Sequence, residues 1–433
     1  MNPSAQSEGK SGTNVPNVGP RGPVGPDVPL NDAEKAAFAR RIAVEGRTAA
    51  AVQTACEQAV QQGIRAVFLP AGEYAFETSV RVPGGLTLLG AGAGTLVQTE
   101  NRALSPEDSR ELSRGQLPGT LIQTQGRDTR LFLVDGDGVR FTRLRLQGAD
   151  TTPSKDNDTH GIDADGKKDV RVDHCEFLGF CYATFFFNEA TAQVDHCYIH
   201  DCPRDGLGYG VAILSGAYVL VVDNEFSQNR HSLTSNGTLD WSSPKRVGRY
   251  LHKPGGRRTH WEFRHNRVEG DDRTNYRLCV VDTHPGMDGT FVVENNLFEN
   301  IRHGVGIRDG AGIIRANLFR NLWGRRPVAI SIRYGTHNDI PVEGTMPHDI
   351  EVSDNVFIDV GDRVFADGVI PESAEHQAAA KVRIGQAENI TVDGELLPET
   401  RKEGGAPPPI PCLQEMGEDG VLRWRERPKA PKI

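Results

Sequence analysis

Two Arg-His pairs stand at matched places in this chain. Arg230 and His231 follow Asn224 by six and seven residues, and Arg302 and His303 follow Asn296 by the same counts. Tyr209, His284, Arg308 and Arg333 lie on apolar stretches nearby: RDGLGYGVAIL (204–214), YRLCVVDTHPGMDG (276–289), RHGVGIRDG (302–310) and VAISIRYG (328–335). A guanidinium binds a carboxylate in a bidentate way. An imidazole titrates near neutrality, and a phenol can return a proton. These types together suit removal of a proton next to a sugar-acid carboxylate. A cation neutralises the carboxylate, a base takes the proton, and an acid assists the leaving oxygen. His231 is the expected base, Tyr209 or His284 the acid, and Arg230 and Arg308 the carboxylate clamp. His303 and Arg333 are expected to bind substrate beside them.

A second group of cations lies at 238–261. It holds Lys245, Arg246, Arg249, Lys253, Arg257 and Arg258, with His252 and His260, and residues 241–261 contain no acidic side chain. In a chain of net charge −9 this is a marked local bias. The stretch reads as a wall or lid over a groove. Lys245, Arg249, Tyr250, Lys253, Arg257 and Arg258 are expected to bind substrate, with Trp241, Tyr250 and Trp261 available to stack on sugar rings. Arg204, Arg230, Arg273 and Arg302 also fall at one equivalent place, seven or six residues after a turn. Stacked like charges repel, and a polyanion along the face would relieve that repulsion.

What brings these residues together is a repeat. Short apolar runs end in turns that read VDHCEF (172–177), VDHCYI (194–199), VDNEF (222–226), RHNRV (264–268), ENNLF (294–298), RANLF (315–319) and SDNVF (353–357). Cys175, Cys197, Asn224, Asn266, Asn296, Asn317 and Asn355 hold the same place, and the tightest spacings are 22 and 21 residues. A period near 20 without helical rhythm predicts strand-rich coils stacked on one another, an all-β solenoid of the parallel β-helix kind.

The rest of the chain fits around that repeat. Residues 1–30 are rich in Gly, Pro, Ser and Asn and are expected to be disordered. Residues 31–62 read as a helical cap, with Asn31 and Asp32 as caps. The first coil would otherwise expose an apolar end and unpaired backbone groups. The β-helix domain is expected over 63–395 with the basic insertion at 238–261, followed by a Pro-rich tail over 396–433. GAGAGT (90–95) reads as a turn between coils, because it lacks the Lys-Ser/Thr of a phosphate loop.

Several classes are disfavoured. The net negative charge argues against a general nucleic-acid binder. No apolar run reaches 18 residues, so no membrane helix is expected. The first residues show no apolar signal region, which leaves localisation open, with action outside the cell expected for a polysaccharide lyase. Cys175 and Cys197 are expected to form a reduced, buried stack, since their side chains point the same way. The His-Cys pairs at 174–175 and 196–197 repeat with the coil, so no metal is needed to explain them. No heptad run suggests a trimer, and the oligomeric state is open.

The helix followed by VFLPAGEY, the GLTLLGAG coil, the Asn stack and the strand HGIDADG (160–166) resemble the pectate-lyase-like superfamily over about residues 45–395. The resemblance implies a right-handed parallel β-helix, and the arginines and histidines read above point to an acidic polysaccharide as substrate. The superfamily includes lyases, hydrolases, epimerases and phage tailspikes, so the alternatives to a lyase are a glycoside hydrolase, a uronate epimerase or a glycan-binding module. Hydrolysis would need two carboxylates at about 5–9 Å, for which Asp163 and Asp165 are candidates, with Asp205 and Asp282 on other coils. No cofactor is expected, although Asp156, Asp158, Asp163 and Asp165 could hold Ca²⁺.

Overall fold

The computed structural model describes residues 17–92, 120–124, 129–236, 258–270, 279–284, 289–324, 327–333, 347–367 and 382–384, with strand pieces at 336–337, 340–341, 391–392, 395–396, 415–416 and 422–423. One coil shows how the sequence builds the rest. Tyr218–Val222 forms a strand of the first sheet, Glu225–Ser227 one of the second, and His231–Asn236 one of the third. Between the first two, Asp223 turns the chain at φ 58. Arg143, His174, His196, His265, Asn295, Ala316 and Asp354 hold the same left-handed place in other coils. Asn and Asp tolerate that conformation best. The strands stack in parallel, residue for residue, as in Tyr218↔His260 and His260↔Thr290. Among the described residues, sheets of twelve, ten and ten strands result, as expected for a parallel β-helix.

The Asn turn is held by a buried ladder. Asn266 accepts from the backbone N–H of Asn224 at 2.9 Å, and its Nδ2 donates to the carbonyl of Val221 at 2.8 Å. Asn296, Asn317 and Asn355 repeat the pattern. Each side-chain amide satisfies groups that the bend removes from the sheets. Beside it the inward rings of Phe226, Phe298, Phe319 and Phe357, beyond the turn, and of Phe263, before it, stack at centroid spacings of 4.7 to 6.2 Å. In earlier coils Cys175 and Cys197 take the ladder place, both buried and free. Asn266→Ala is expected to cost about 1–3 kcal/mol, because a buried N–H is orphaned. The check is the urea midpoint, and an unchanged midpoint would mean that the ladder bonds contribute nothing net.

The expected cap is present but divided. Helix α1 (Asp32–Ala37) is closed by a capping box between Asn31 and Glu34. Helix α2 (Ala49–Gln61) starts at Thr48, whose side chain accepts from the N–H of Ala51. The strand Ile42–Ala43 between them joins the first sheet beside Ala66–Leu69. Val52, Ala55, Cys56 and Ala59 of α2 cover the apolar end of the first coil. Glu34 enters a buried cluster: Arg140 donates to Glu34 at 2.6 Å and to both oxygens of Asp173 at 2.6 Å, while Arg143 donates to Glu34 at 2.8 Å. Burial works against a charged Glu34, but Arg140 and Arg143 outweigh it and hold its carboxyl below the usual range.

The expectation of disorder over 1–30 is corrected for its second half; residues 1–16 lie outside the described residues. Residues 17–30 run across the row of left-handed turns. Gly19 donates to the carbonyl of Asn295 at 3.1 Å and Gly25 to that of His196 at 2.9 Å. Arg21 grips Asp223 with Nε at 2.9 Å and Nη2 at 2.6 Å. Arg143 donates to the carbonyl of Val28 at 2.7 Å. At Gly22 a Cβ would come within 3.3 Å of the His196 ring, which favours glycine there. The tail over 396–433 lies outside the described residues except for Leu396 and the pair Glu415–Met416 and Leu422–Arg423.

Candidate active site

The third sheet presents three outward rows. Strict pairing sets His160, Tyr182, Tyr209 and His231 side by side on successive strands. A second row runs Asp163, Phe185, Ala212, Thr234, Asp282, Gly306 and Ser331. The third holds Asn236, His284, Arg308 and Arg333, each two residues further along its strand. The inward positions between them, such as Leu233, Val281, Val305 and Ile330, fill the core.

Asp282 is the hub of this face. Arg308 grips its Oδ2, the Nε2 of His284 lies 3.0 Å from the same oxygen, and the Nε2 of His231 lies 3.9 Å away. Gly306 makes room, since a Cβ there would come within 3.1 Å of Asp282 Oδ1. His231 Nδ1 bonds the carbonyl of Cys279 at 2.5 Å, which places the proton on Nδ1 and leaves Nε2 a buried atom without a partner. Tyr209 packs its ring 5.4 Å from that of His231 and 6.4 Å from that of His284. Arg230 donates to the Tyr209 hydroxyl at 3.2 Å, while its Nε is buried and unpartnered.

The charges follow from these contacts. Burial would raise the carboxyl of Asp282, but Arg308 and then His284 overcome it and keep it ionised far below the usual range. Burial and then Arg308 lower the pKa of His284 against the pull of Asp282. Burial and then Arg230 push His231 well down. Burial raises the Tyr209 phenol, opposed by Arg230. Near neutral pH the face therefore holds two neutral imidazoles, one carboxylate, one protonated phenol and two guanidiniums. Exposure separates the imidazoles: His231 is 1 % exposed, whereas the side chains of His284 and Arg308 are 16 % and 24 % exposed. The open edge of the site belongs to the latter two.

Residues 132–340 match the family model described as right handed beta helix region. This chain is a right-handed parallel β-helix. Among solved structures the β-helix is similar to DFA-IIIase from Arthrobacter chlorophenolicus, at 15% identity and TM-score 0.50, covering 78% of this chain and 96% of that one. It is also similar to an alginate lyase from a Paenibacillus species, at 12% identity and TM-score 0.46, over 75% and 97% of the two chains. The third is an exopolygalacturonase from Thermotoga maritima, at 12% identity and TM-score 0.41, over 78% and 89%. No curated protein matches the sequence. At these identities the likeness is one of fold.

The β-helix brings together Tyr209, Arg230, His231, His284 and Arg308 of the expected residues. Arg333 is exposed on the strand after Arg308, and His303 is buried on the row of His231, one strand beyond Cys279. Lys245, Arg249, Tyr250, Lys253 and Arg257 lie outside the described residues. Arg258 is exposed ahead of the first-sheet strand His260–Arg264, away from the third sheet. Trp261, expected to stack on sugars, is instead fully buried and stacks on Phe291 at 5.3 Å. In the expected row of stacked cations, protein groups take up the three described members, and Arg273 lies outside the described residues. Arg204 pairs with Asp158 at 2.7 Å, Arg230 bonds Tyr209, and Arg302 lies over the Trp323 ring at 4.3 Å.

The sequence offered Asp282 only as a carboxylate for hydrolysis and did not give it the central part. An acidic residue two before a histidine on a strand, as in Asp282 and His284, was the available signal. The Asp-rich stretch expected to suit Ca²⁺ is spoken for by other side chains. Asp163 meets His160 at 2.9 Å and Arg130 at 3.3 Å, Asp165 accepts from Asn188 at 2.7 Å, and Asp158 pairs with Arg204. Among the described residues, His231, Asp282 and His284 offer ligand atoms within 4.8 Å of one another. Two imidazoles and a carboxylate suit a zinc-like ion, but Arg308 already occupies the shared carboxylate oxygen, which opposes a second cation.

No helix among the described residues is long and apolar enough to cross a membrane.

Proposed function

We propose that this β-helix is a carbohydrate-active enzyme, a polysaccharide lyase that cuts an acidic, uronate-containing chain by β-elimination. The observation that carries the reading is a neutral imidazole, His284, aimed at an ionised Asp282 and facing a protonated phenol, Tyr209, between two guanidiniums. The role of base, expected for His231, moves to His284, because His231 is too buried to meet a polymer. Asp282, 3.0 Å from Nε2 of His284, stabilises the imidazolium that forms. His284 takes the proton on C5, α to the carboxylate. The electron pair left on that carbon forms the C4–C5 double bond and expels the C4 oxygen, which Tyr209 protonates. Arg230, partly exposed beside Tyr209, supplies positive charge for the uronate carboxylate, and Arg308 keeps Asp282 ionised. His231 packs against Tyr209 and against His284, 6.0 Å away, and fixes both rings.

Hydrolysis by paired carboxylates has less support at this hub. Asp163 stands four strands from Asp282, about 19 Å at the usual spacing, against roughly 5–9.5 Å for a glycosidase pair. The test assays polyuronates and neutral glycans together for ultraviolet-absorbing unsaturated ends and for new reducing ends. Both signals on a polyuronate alone are expected. Reducing ends without absorbance would replace elimination by hydrolysis. An altered sugar without a cut would indicate an epimerase, and binding without turnover a tailspike-like module.

A further inference from the structure

Upstream of the hub, the same face carries three aromatic rings that neither the core nor the proposed chemistry uses. Tyr182, Phe185 and Phe187 point outward and are partly exposed, while Ala183 and Phe186 of the same strand fill the interior. Tyr182 and Phe185 have centroids 4.9 Å apart, and Phe185 and Phe187 are stacked at 4.6 Å. Tyr182 meets Tyr209 at 5.2 Å, so the surface is continuous with the proposed site. Between Phe185 and Asp282 the same row holds only Ala212 and Thr234. Small side chains there leave a trough about three strand spacings, or 14 Å, long.

We propose that Tyr182, Phe185 and Phe187 form a stacking platform for an uncharged pyranose, so that the natural substrate mixes uncharged sugars with uronates. The inference rests on the carbohydrate reading given above. A pyranose ring turns axial C–H bonds to one face, and that apolar face matches exposed aromatic rings. The outer end of the platform disfavours a uronate. Asp165 is exposed there in register with Phe187, while Asp163, in register with Phe185, is already paired with Arg130. A second carboxylate would face like charge, whereas the hydroxyls of an uncharged ring find acceptors in Asp165 and a partner in Asn188. Arg308 and Arg333 lie on the opposite side of the hub, whereas Arg130 on the platform side is paired with Asp163. A polymer laid across the strands thus meets rings and carboxylates first, then the acid–base groups, then arginines.

The test compares wild type with Phe185→Ala/Phe187→Ala, with the conservative Phe185→Tyr/Phe187→Tyr, and with the single outer change Phe187→Gln. KM and kcat are measured on gellan, which mixes glucuronate with uncharged hexoses, and on polygalacturonate. Calorimetry follows cellohexaose binding, and thermal melts check folding. The alanine pair is expected to raise KM on gellan about tenfold with kcat unchanged and little effect on polygalacturonate. The tyrosine pair restores KM, and Phe187→Gln gives a smaller shift in the same direction should the alanine pair fail to fold. An unchanged KM on gellan, or an equal rise on both polymers, overturns the platform while leaving elimination intact. Loss of cellohexaose binding in a protein that cleaves no uronan supports the platform and sinks the lyase instead.

Discussion

His284→Gln lowers kcat on a cleavable uronan by about 10²- to 10⁴-fold, the usual contribution of a positioned base. Glutamine keeps a hydrogen-bonding group near Asp282 but cannot accept and hold the proton. His231→Gln is expected to cost much less, about tenfold, because that ring positions its neighbours without meeting substrate. The comparison is made at saturating substrate, and a larger loss at His231 would return the base role to it. The pH profile gives a second readout. Burial and Arg308 depress the pKa of His284, and the base works when neutral. The acid limb of kcat/KM therefore lies below pH 6.5. The same depression has a stability sign: the neutral ring's contribution is present above the unfolded pKa near 6.5 and is lost as pH falls below it toward the folded value. An acid limb above 6.5 would contradict the assignment.

Arg140→Ala is expected to destabilise the fold by about 3–5 kcal/mol, the cost of leaving buried carboxylates without their cation. Arg140 is 2 % exposed and is shared by Glu34 of α1 and Asp173 of the coils. Its loss leaves Asp173 with Arg171 at 3.4 Å and the Thr142 hydroxyl, and leaves Glu34 with Arg143. Glu34→Gln should cost less, since a neutral amide leaves Arg140 its pairing with Asp173. Chemical denaturation of the two variants checks the order. A cost below about 1 kcal/mol for Arg140→Ala would place the cluster with weak surface pairs.

The repeat was legible because its physical cause is local. A bend between two sheets strands backbone groups, and a short amide side chain such as Asn224 or Asn266 recovers them in every coil. The outward register of Tyr209, His231, His284 and Arg308 followed from alternation once that turn was fixed. Their depth did not, because it depends on how neighbouring rows of long side chains cover one another. Partners on other coils were equally hidden. Nothing near Arg204 or Arg302 in sequence names Asp158 or Trp323. Residues 17–30 misled for a related reason. Their composition buries little apolar surface, and what holds them is a set of carbonyls and one carboxylate presented by distant turns at Asn295, Asp223 and His196.

A stack of coils ordinarily gains stability only from adjacent repeats, so that it can fray from one end. The N-terminal segment changes that accounting, because Gly19 reaches Asn295 and Arg143 reaches Val28 across everything between. Opening any one coil in that span forfeits a clamp shared by all of them. The span from Arg143 to Asn295, which contains Tyr209, His231 and His284, is thereby tied into one all-or-none unit. The clamp's contact at Asn295 can close only after the chain has been made that far, so residues 17–30 settle fully only once a distant part of the solenoid exists.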